Sequence, residues 1–540
     1  MEAFQWNSAD ELRQLLNELV SWKSISLSEG EKQFPRKLYA KLQDLTYFHD
    51  HPAYLKLHEA DQRRKLLTAL YKHPEAAQTI CLISHFDTVN TEEYGSLEPL
   101  ATQPEELTKV YLEQKDTFSR DIRADIESGD FLFGRGTMDM KMGLVMHMSL
   151  IEQASIEKWP INLLLLTVPD EEVNSAGMRY AIPVLTELQK QHDLTYTLFL
   201  NSEPTFRHDP KDNTHYIYSG TIGKVLAGAL FYGKETHAGE PLSGMTSPFI
   251  SSFLTREMEW NPIFQETVLG ETAPLPVTLQ QTDLRLRYST QTPYRSSALY
   301  NIFLLERTAE EAFALFEQVA KTAAAQCNER YKKICKDNQV QPIGHVKVIT
   351  YKELLEYAGN KLGREFVEDV KKDIHFHDDY DDREKSLRIT DSLMIHCQEL
   401  APAMVILFAP PYYPAVNSSG NGFVEYCVDF VEKEAKNEFQ LDIKRSHFLN
   451  GICDLSYVHY QGSDTGLQVY EENTPVWGDS YELPFSLMRE LDAPVLNVGP
   501  FGHDAHKRTE RLHVTNAFEQ FPYLMRQLIL QISQKEGKSL

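Results

Sequence analysis

Basic residues are scarce in this chain, and their scarcity excludes several classes of protein. Lysine and arginine together number 54, against 78 aspartates and glutamates, so the formal net charge of the 540 residues is −24. Binding to nucleic acid or to an anionic membrane surface needs basic patches, which a chain of this balance does not favour. We therefore expect a partner that is neither nucleic acid nor membrane.

Long hydrophobic runs and paired cysteines are also missing. The longest apolar runs, such as residues 161–168, have the length of a strand and are far too short to span a bilayer. The first sixteen residues contain neither the basic region nor the apolar region of a signal peptide. The six cysteines are scattered without a CxxC pair, so no disulfide framework or zinc knuckle is predicted. Together these absences predict a cytoplasmic location.

Apolar segments of strand length alternate with helical segments in the first part of the chain. The predicted strands cover 79–84, 161–168 and 195–201, and the predicted helices cover 8–22, 141–153 and 175–189. Ser8 and Glu11 form a capping box at the first helix. Continuous apolar strands separated by helices are typical of a mostly parallel sheet covered by helices. The predicted fold class is therefore α/β.

The pattern changes near residue 213, which predicts a second unit. Strands joined by short links are predicted at 215–220, 225–233 and 277–290, with helices near 246–260 and 308–332. This arrangement indicates a smaller α+β unit inserted into the first. We predict that 1–213 and 346–540 form the two parts of a catalytic α/β domain, and that 214–345 form the inserted lid or dimerisation domain.

Five motifs carry histidine and carboxylate side chains, and most of them follow a predicted buried strand. In an open α/β sheet, that position points into the active-site crevice. The motifs are SHFDTVN (84–90), GRGTMDMKMG (134–143), TVPDEEVNSAG (167–177), LNSEPT (200–205) and GPFGHDAHKRTERLH (499–513). Histidine, aspartate and glutamate in such settings indicate a hydrolase that uses two divalent metals and a general base.

The residue types fit this chemistry individually. His85 and Asp87 are two apart in extended chain, so Asp87 can accept the proton of the imidazole nitrogen that binds no metal. Asp139 lies between a glycine-rich turn and a helix, where its two oxygens can bridge two cations. The adjacent Glu171 and Glu172 diverge in direction, so one can bind metal while the other takes a proton from water.

Each motif taken alone also has an ordinary structural explanation. His85 and Asp87 could occupy a surface turn, Asp139 could be a helix N-cap, and a glutamate pair usually faces solvent. His503 has the same setting after a strand as His506, so it is the local alternative to that histidine. The order of all five motifs along one α/β chain makes coincidence a poor explanation for the set.

Together the motifs resemble those of the aminoacylase/carboxypeptidase-G family of two-zinc metallopeptidases and deacylases, which includes acetylornithine deacetylase and peptidase T. The matching segments are HFD, GRGTMDMKMG, DEE, SEP and HKRTE, and the resemblance covers both α/β parts and the inserted unit. It implies a zinc-exopeptidase-like fold. The length of the chain resembles a bacterial branch associated with arginine utilisation, with extra material expected within 351–400 and 412–490.

The resemblance assigns a role to each site residue. It implies two divalent metal ions, expected to be zinc with cobalt or manganese as alternatives, bridged by Asp139. It implies that His85 and Glu203 complete the site of one ion, and that Glu172 and His506 complete the other. Glu171 would be the general base and Asp87 would orient His85. The family also tends to hold the peptide bond after the bridging aspartate in cis, here Asp139–Met140.

The inserted unit carries a further family motif, YGKETHAGEP (232–241), in which His237 would polarise the scissile carbonyl. In dimeric members that histidine reaches the neighbouring subunit's site, which implies a homodimer through the inserted domain. Its ordinary alternative is a surface histidine. Arg307 and Asp454 lie in segments that loosely resemble substrate-contact regions, and a structural role is at least as well supported for both.

Three functions remain open at this point. The first is a metal-dependent amidohydrolase acting on an N-acyl amino acid. The second is an exopeptidase or dipeptidase that uses the same site on a short peptide. The third is a catalytically inactive binding protein on the same fold, which the presence of all five ligands and the base argues against.

Overall fold

The structure is a computed structural model that describes residues 3–61, 63–205, 212, 214–285, 288–377, 379–462 and 464–534. The chain divides into two compact units. Unit 1 comprises Met1–Thr221, Val416–Tyr460 and Pro484–Leu540, and unit 2 comprises Ile222–Ala415 and Gln461–Leu483.

The helices and strands of the described chain have the following bounds. The helices are α1 (Ala9–Ser21), α2 (Glu29–Gln43), α3 (Thr46–Asp50), α4 (Pro104–Glu113), α5 (Arg120–Ser128), α6 (Met142–Glu157), α7 (Ala176–His192), α8 (Ser247–Met258), α9 (Ala309–Asp337), α10 (Tyr351–Leu362), α11 (Arg364–His375), α12 (Asp382–His396), α13 (Gly422–Phe439), α14 (Asp464–Glu472), α15 (Phe485–Glu490) and α16 (Phe521–Ser533). The strands are β1 (Leu55–Glu59), β2 (Lys65–Tyr71), β3 (Gln78–His85), β4 (Phe131–Phe133), β5 (Asn162–Val168), β6 (Thr195–Asn201), β7 (His215–Tyr218), β8 (Gly220–Thr221), β9 (Gly223–Tyr232), β10 (Thr267–Val268), β11 (Glu271–Thr272), β12 (Val277–Asp283), β13 (Arg295–Leu304), β14 (Lys347–Thr350), β15 (Ala403–Tyr413), β16 (Val416–Asn417), β17 (Ile443–Ser446), β18 (Val495–Asn497), β19 (Gly502–His503) and β20 (Arg511–His513).

Unit 1 is built on an eight-stranded sheet with the order β1-β2-β5-β3-β6-β18-β7-β17. Its central strands β5, β3, β6 and β18 are parallel neighbours, whereas β1 and β2 join the edge antiparallel. Every residue of β5 is buried, as expected for a strand covered on both faces. The predicted α/β class is confirmed.

Helices cover this sheet and form one hydrophobic core with it. Helix α1 begins at the predicted capping box, in which Ser8 and Glu11 each accept a backbone N–H of the other, and it buries one leucine-rich face. Helix α6 is buried from Met142 to Ala154, so it lies inside the unit rather than on its surface. The same core includes apolar residues of α2, α13 and α16.

Unit 2 contains a five-stranded sheet with the order β12-β13-β9-β15-β14. Strands β12, β13, β9 and β15 pair antiparallel, and β14 pairs parallel with β15. Its bounds differ from the predicted inserted domain, 214–345, because β14, α10, α11, α12 and β15 also belong to it. The apolar run of β15 resembles a strand of the first sheet, and only its hydrogen bonds with β9 assign it to the second.

Two further features of the structure concern the cysteines and the hydropathy of the helices. All six cysteines are buried and free. Among the helices of the described ranges, none combines the length and the apolar character that a bilayer crossing needs.

Gly143, in the first turn of α6, tests how closely this buried helix packs. A Cβ added there would lie 2.6 Å from the carbonyl oxygen of Ser202, a backbone atom next to Glu203. We expect Gly143→Ala to lower the free energy of unfolding by about 1–3 kcal/mol, measured by chemical denaturation. Gly422→Ala, in α13 of the same unit, is the control because no atom lies within 4 Å of its added Cβ. Equal stability of the two variants would contradict the packing described.

Candidate metal centre

Three of the five motifs meet because their strands are parallel neighbours. Strand β3 lies between β5 and β6, with His85 opposite Val168 and Ile83 opposite Asn201. The segments that follow β3, β5 and β6 therefore leave the sheet at the same edge. They carry His85, the Glu171–Glu172 pair and Glu203 to one place.

Asp139 reaches the same place on the loop between β4 and α6, and Glu510 shapes that loop. Oε1 of Glu510 accepts the N–H of Gly136 at 2.8 Å, and its Oε2 accepts Nη1 of Arg135 at 2.6 Å. Gly136 has a φ of 80°, a left-handed conformation that suits glycine. The Asp139–Met140 peptide bond is cis, as the family resemblance led us to expect.

The carboxylate of Asp139 lies between two imidazoles. Its Oδ1 is 3.3 Å from Nε2 of His85, and its Oδ2 is 3.0 Å from Nε2 of His506. On the first side, Nε2 of His85 is also 3.3 Å from Oε1 of Glu203. On the second side, Nε2 of His506 is 3.0 Å from Oε2 of Glu172. The result is two groups of three ligand atoms that share one aspartate.

These separations fit divalent cations. Ligand atoms around a tetrahedral zinc ion, with bonds of 2.0–2.1 Å, lie roughly 3.3 Å apart. Within the described residues, Nε2 of His85 and Oε1 of Glu203 are buried without a hydrogen-bond partner. A cation between such atoms would satisfy both of them, and imidazole with carboxylate is a donor set that zinc and related transition metals accept.

The pKa values of the same groups show how strongly they interact. Burial opposes protonation of His85, but the neighbouring Glu203, Asp139 and Asp87 raise its pKa well above the usual value. Burial likewise opposes protonation of His506, but Asp139 and Glu172 raise its pKa to about 11. Burial raises the pKa of Glu203 to about 7. Without a cation, protons on these groups offset the negative charge.

Glu171 lies beside this pair of groups. Its side chain is 9% exposed, and its Oε2 is 4.0 Å from Nε2 of His85. Burial raises the pKa of Glu171 well above its usual value, and the charges of Asp454, Glu203 and Glu172 raise it further. Asp454 is itself buried, and both of its carboxylate oxygens lack a hydrogen-bond partner within the described part of the chain. Burial, together with the neighbouring Glu203, Asp87 and Asp170, also raises the pKa of Asp454 well above its usual value.

Asp87 contacts His85 through its main chain as well as through its carboxylate. Nδ1 of His85 is 3.0 Å from the main-chain carbonyl oxygen of Asp87 and 3.5 Å from its carboxylate Oδ1. The same carboxylate also accepts the N–H groups of Glu171 at 3.1 Å and Glu172 at 3.3 Å. Asp87 thus links His85 to the Glu171–Glu172 turn.

Three other candidates of the sequence have contacts of their own. His237 is an exposed residue of unit 2, where its Nδ1 accepts the N–H of Gly239 and its main chain pairs with Gln291. Arg307, also in unit 2, donates to the carbonyl oxygen of Phe264 at 2.8 Å. His503 pairs with Asp125 at 3.2 Å, so His506 rather than His503 contacts Asp139.

Sequence reasoning missed three buried basic side chains near the site. Nη1 of Arg64 donates to Oδ1 of Asp170 at 2.5 Å. Arg135 pairs with the buried carboxylate of Glu510. Lys141 is buried within the loop of Asp139, and burial lowers the pKa of Lys141 to about 7. Lys141 and Arg135 at least lie within a recognised motif, whereas nothing in the local sequence distinguishes Arg64 from a surface arginine.

The fold and the site together define a class of protein: an α/β sheet at whose edge two imidazoles face the two oxygens of one carboxylate. That class is the metal-dependent hydrolases of the metallopeptidase kind, in which carboxylates and imidazoles at strand ends hold paired cations.

Within that class, the chain belongs to peptidase family M20/M25/M40, whose sequence profile matches residues 81–458. The resemblance inferred from the motifs is thereby confirmed. The chain is 40% identical to YqjN of Bacillus subtilis (strain 168) over 529 residues, which cover 96% of this chain and 96% of YqjN. It is 27% identical to RocB of the same organism over 546 residues, covering 98% of this chain and 96% of RocB. The extra length of the chain is therefore shared with these relatives.

Solved structures show the same fold at low sequence identity. The M20 family metallo-carboxypeptidase Sso-CP2 from Sulfolobus solfataricus has a TM-score of 0.56 and 13% identity, covering 96% of this chain and 99% of that protein. The dipeptidase Dug1p from Saccharomyces cerevisiae has a TM-score of 0.53 and 10% identity, covering 98% and 96% of the two chains. At these identities the likeness concerns the fold.

Cation binding is expected to release protons. The raised pKa values of His85 and His506 keep both imidazoles protonated in the metal-free protein at pH 7, whereas a cation binds neutral imidazole. The apparent affinity for a divalent cation should therefore rise as the pH rises. Calorimetric titration of chelator-treated protein in two buffers of different ionisation enthalpy counts the released protons. Cation-loaded protein is the control, and binding without proton release would contradict the site.

Proposed function

We propose that this protein is a two-metal hydrolase that cleaves the amide bond of an N-acyl amino acid or a small peptide. In this proposal His85, Asp139 and Glu203 hold one divalent cation, and Asp139, Glu172 and His506 hold the other. The observation that carries it is the carboxylate of Asp139, each oxygen of which faces a different imidazole at 3.0 or 3.3 Å. Zinc is the expected metal, with cobalt or manganese as alternatives.

Glu171 is proposed as the general base. When bound, two divalent cations acidify water and polarise a carbonyl. Glu171 is placed to take the proton of the attacking water, since its carboxylate is nearly buried and lies 4.0 Å from the His85 imidazole. Its raised pKa suits a group that must first accept that proton and then return it to the leaving amine. Asp87 holds the main chain of Glu171 and thereby its orientation.

His237 is proposed to polarise the scissile carbonyl, following the family motif that surrounds it. An exposed imidazole can donate a hydrogen bond to a developing oxyanion once substrate is bound. In dimeric members the histidine comes from the neighbouring subunit, so a homodimer through the inserted domain belongs to the same proposal. A cytoplasmic location is supported by the six free, buried cysteines.

Removing the carboxylate of Glu171 should abolish turnover and leave cation binding intact. We expect Glu171→Gln to keep two cations per chain, measured by elemental analysis, and to lower kcat at least about 100-fold because the general base is lost. Glu438→Gln, an exposed position of unit 1, is the matched control. Activity should be followed on a panel of N-acyl amino acids and dipeptides, which also separates a deacylase from a peptidase. An active Glu171→Gln enzyme would refute the base assignment.

Replacing the side chain of His237 should slow the chemical step. We expect His237→Ala to lower kcat by about tenfold to a thousandfold with a smaller change in KM, because the imidazole would interact most strongly with the developing oxyanion. Steady-state kinetics on the best substrate of the panel measure both constants. Glu240→Gln, exposed in the same loop, serves as the control. Kinetics identical to those of the wild type would make His237 an ordinary surface residue.

A further inference from the structure

The turn that carries Glu171 and Glu172 is held by residues from the N-terminal part of unit 1. Asp170 begins this turn with a φ of 68°, an unusual conformation for a residue with a side chain. Its main-chain carbonyl accepts the N–H of Asn174 at 3.1 Å and that of Ser175 at 2.6 Å. Its Oδ2 accepts the N–H of Ala176, at the start of α7. Asp170 therefore connects the turn to the helix that follows.

Arg64 holds the other oxygen of Asp170. The Arg64 side chain is 10% exposed, and its Nη1 donates to Oδ1 of Asp170 at 2.5 Å. Its Nε donates to Oδ2 of Asp61 at 2.7 Å, and its Nη1 lies 3.4 Å from Oε1 of Glu31. A planar guanidinium can bind several carboxylates in fixed directions, which a lysine cannot do. Arg64 is thus fixed by two partners and can fix the third.

The loop between α1 and α2, which contains Ser26, holds the other side of the same turn. Ser26 donates its hydroxyl to Oδ2 of Asp87 at 2.7 Å, and its N–H to the carbonyl oxygen of Thr88 at 3.0 Å. The carboxylate of Asp87 in turn accepts the N–H groups of Glu171 and Glu172. The turn is therefore held by Asp170 at its start and by Asp87 at the two glutamates.

We propose that Arg64 is a positioning residue of the active site, which acts through Asp170 to fix the directions of Glu171 and Glu172. The proposal rests on the function proposed above, because it assigns catalysis and cation binding to those glutamates. Arg64 and Ser26 precede residue 81, where the match to the family begins. The N-terminal segment is accordingly a support of the active site as well as a part of the fold.

Replacing Arg64 tests this role. We expect Arg64→Met to lower kcat by about 10- to 100-fold while KM changes less than about threefold, as for other residues that orient metal ligands. Hydrogen exchange of a peptide covering residues 168–178 should become faster. Arg13→Met is the matched control, because Arg13 pairs with a single carboxylate, Glu105, at 2.7 and 2.9 Å in the same unit. If the two variants behave alike, Arg64 has no special role.

A double-mutant cycle with Asp170→Asn tests whether Arg64 acts through Asp170. If Arg64 acts through Asp170, either single substitution should cause most of the loss in kcat, and the double variant should be little worse than the poorer single one. Losses that multiply independently would overturn the proposal. If Arg64→Met does not fold, Arg64→Lys carries the same test, because it keeps the charge and loses the fork that binds several carboxylates.

Two readouts separate this proposal from the proposed function. Hydrogen exchange and the affinity for zinc, measured by competition with a chelator, need no turnover. A wild-type protein that binds two cations but hydrolyses no member of the panel refutes the hydrolase. Unchanged exchange and unchanged zinc affinity in Arg64→Met refute the positioning role, even if the wild type is an active hydrolase.

Discussion

The structure of unit 1 depends on offsetting a large concentration of buried negative charge. Six carboxylates with little or no exposure lie around the two imidazoles, and burying all of them in the ionised form without positive partners would cost far more than a fold of this size can supply. Two divalent cations, bound to neutral imidazoles, would offset four of those charges. The buried carboxylates are those of Asp87, Asp139, Glu171, Glu172, Glu203 and Asp454.

Sheet topology explains how these groups can meet at all. The strands β5, β3 and β6 contribute their carboxyl ends side by side, and β18 extends the parallel run beyond β6. Asn497 of β18 donates to the carbonyl oxygen of Glu203 and accepts its N–H, so the strand next to β6 fixes the ligand that follows β6. A parallel sheet thereby gives a rigid edge on which short segments need to place only one or two side chains each.

Two buried arginines stabilise the loops that carry the proposed metal ligands, although neither arginine is itself a ligand. Arg135 and Glu510 shape the loop of Asp139, and Arg64 and Asp170 shape the turn of Glu171 and Glu172. In both cases a carboxylate that binds no proposed cation accepts a guanidinium as well as main-chain N–H groups. A pair of this kind satisfies buried donors and acceptors together, which a lone charge could not do. Each of the two turns is thus held by an ion pair of its own.

The sequence by itself determined the α/β class, the central strands β3, β5 and β6 and the helices α1, α6 and α7 of unit 1, and the motifs that meet at its sheet edge. Those features follow from local patterns, since hydrophobic periodicity and polar residues after strands are readable within a few positions. The tertiary structure alone decided that β15 belongs to the second sheet, that Asp87 accepts the N–H groups of Glu171 and Glu172, and that Arg64 supports Asp170. Each of these is a pairing between distant segments, and the partner of a strand or an ion is set by where the chain folds in space, which no local pattern encodes.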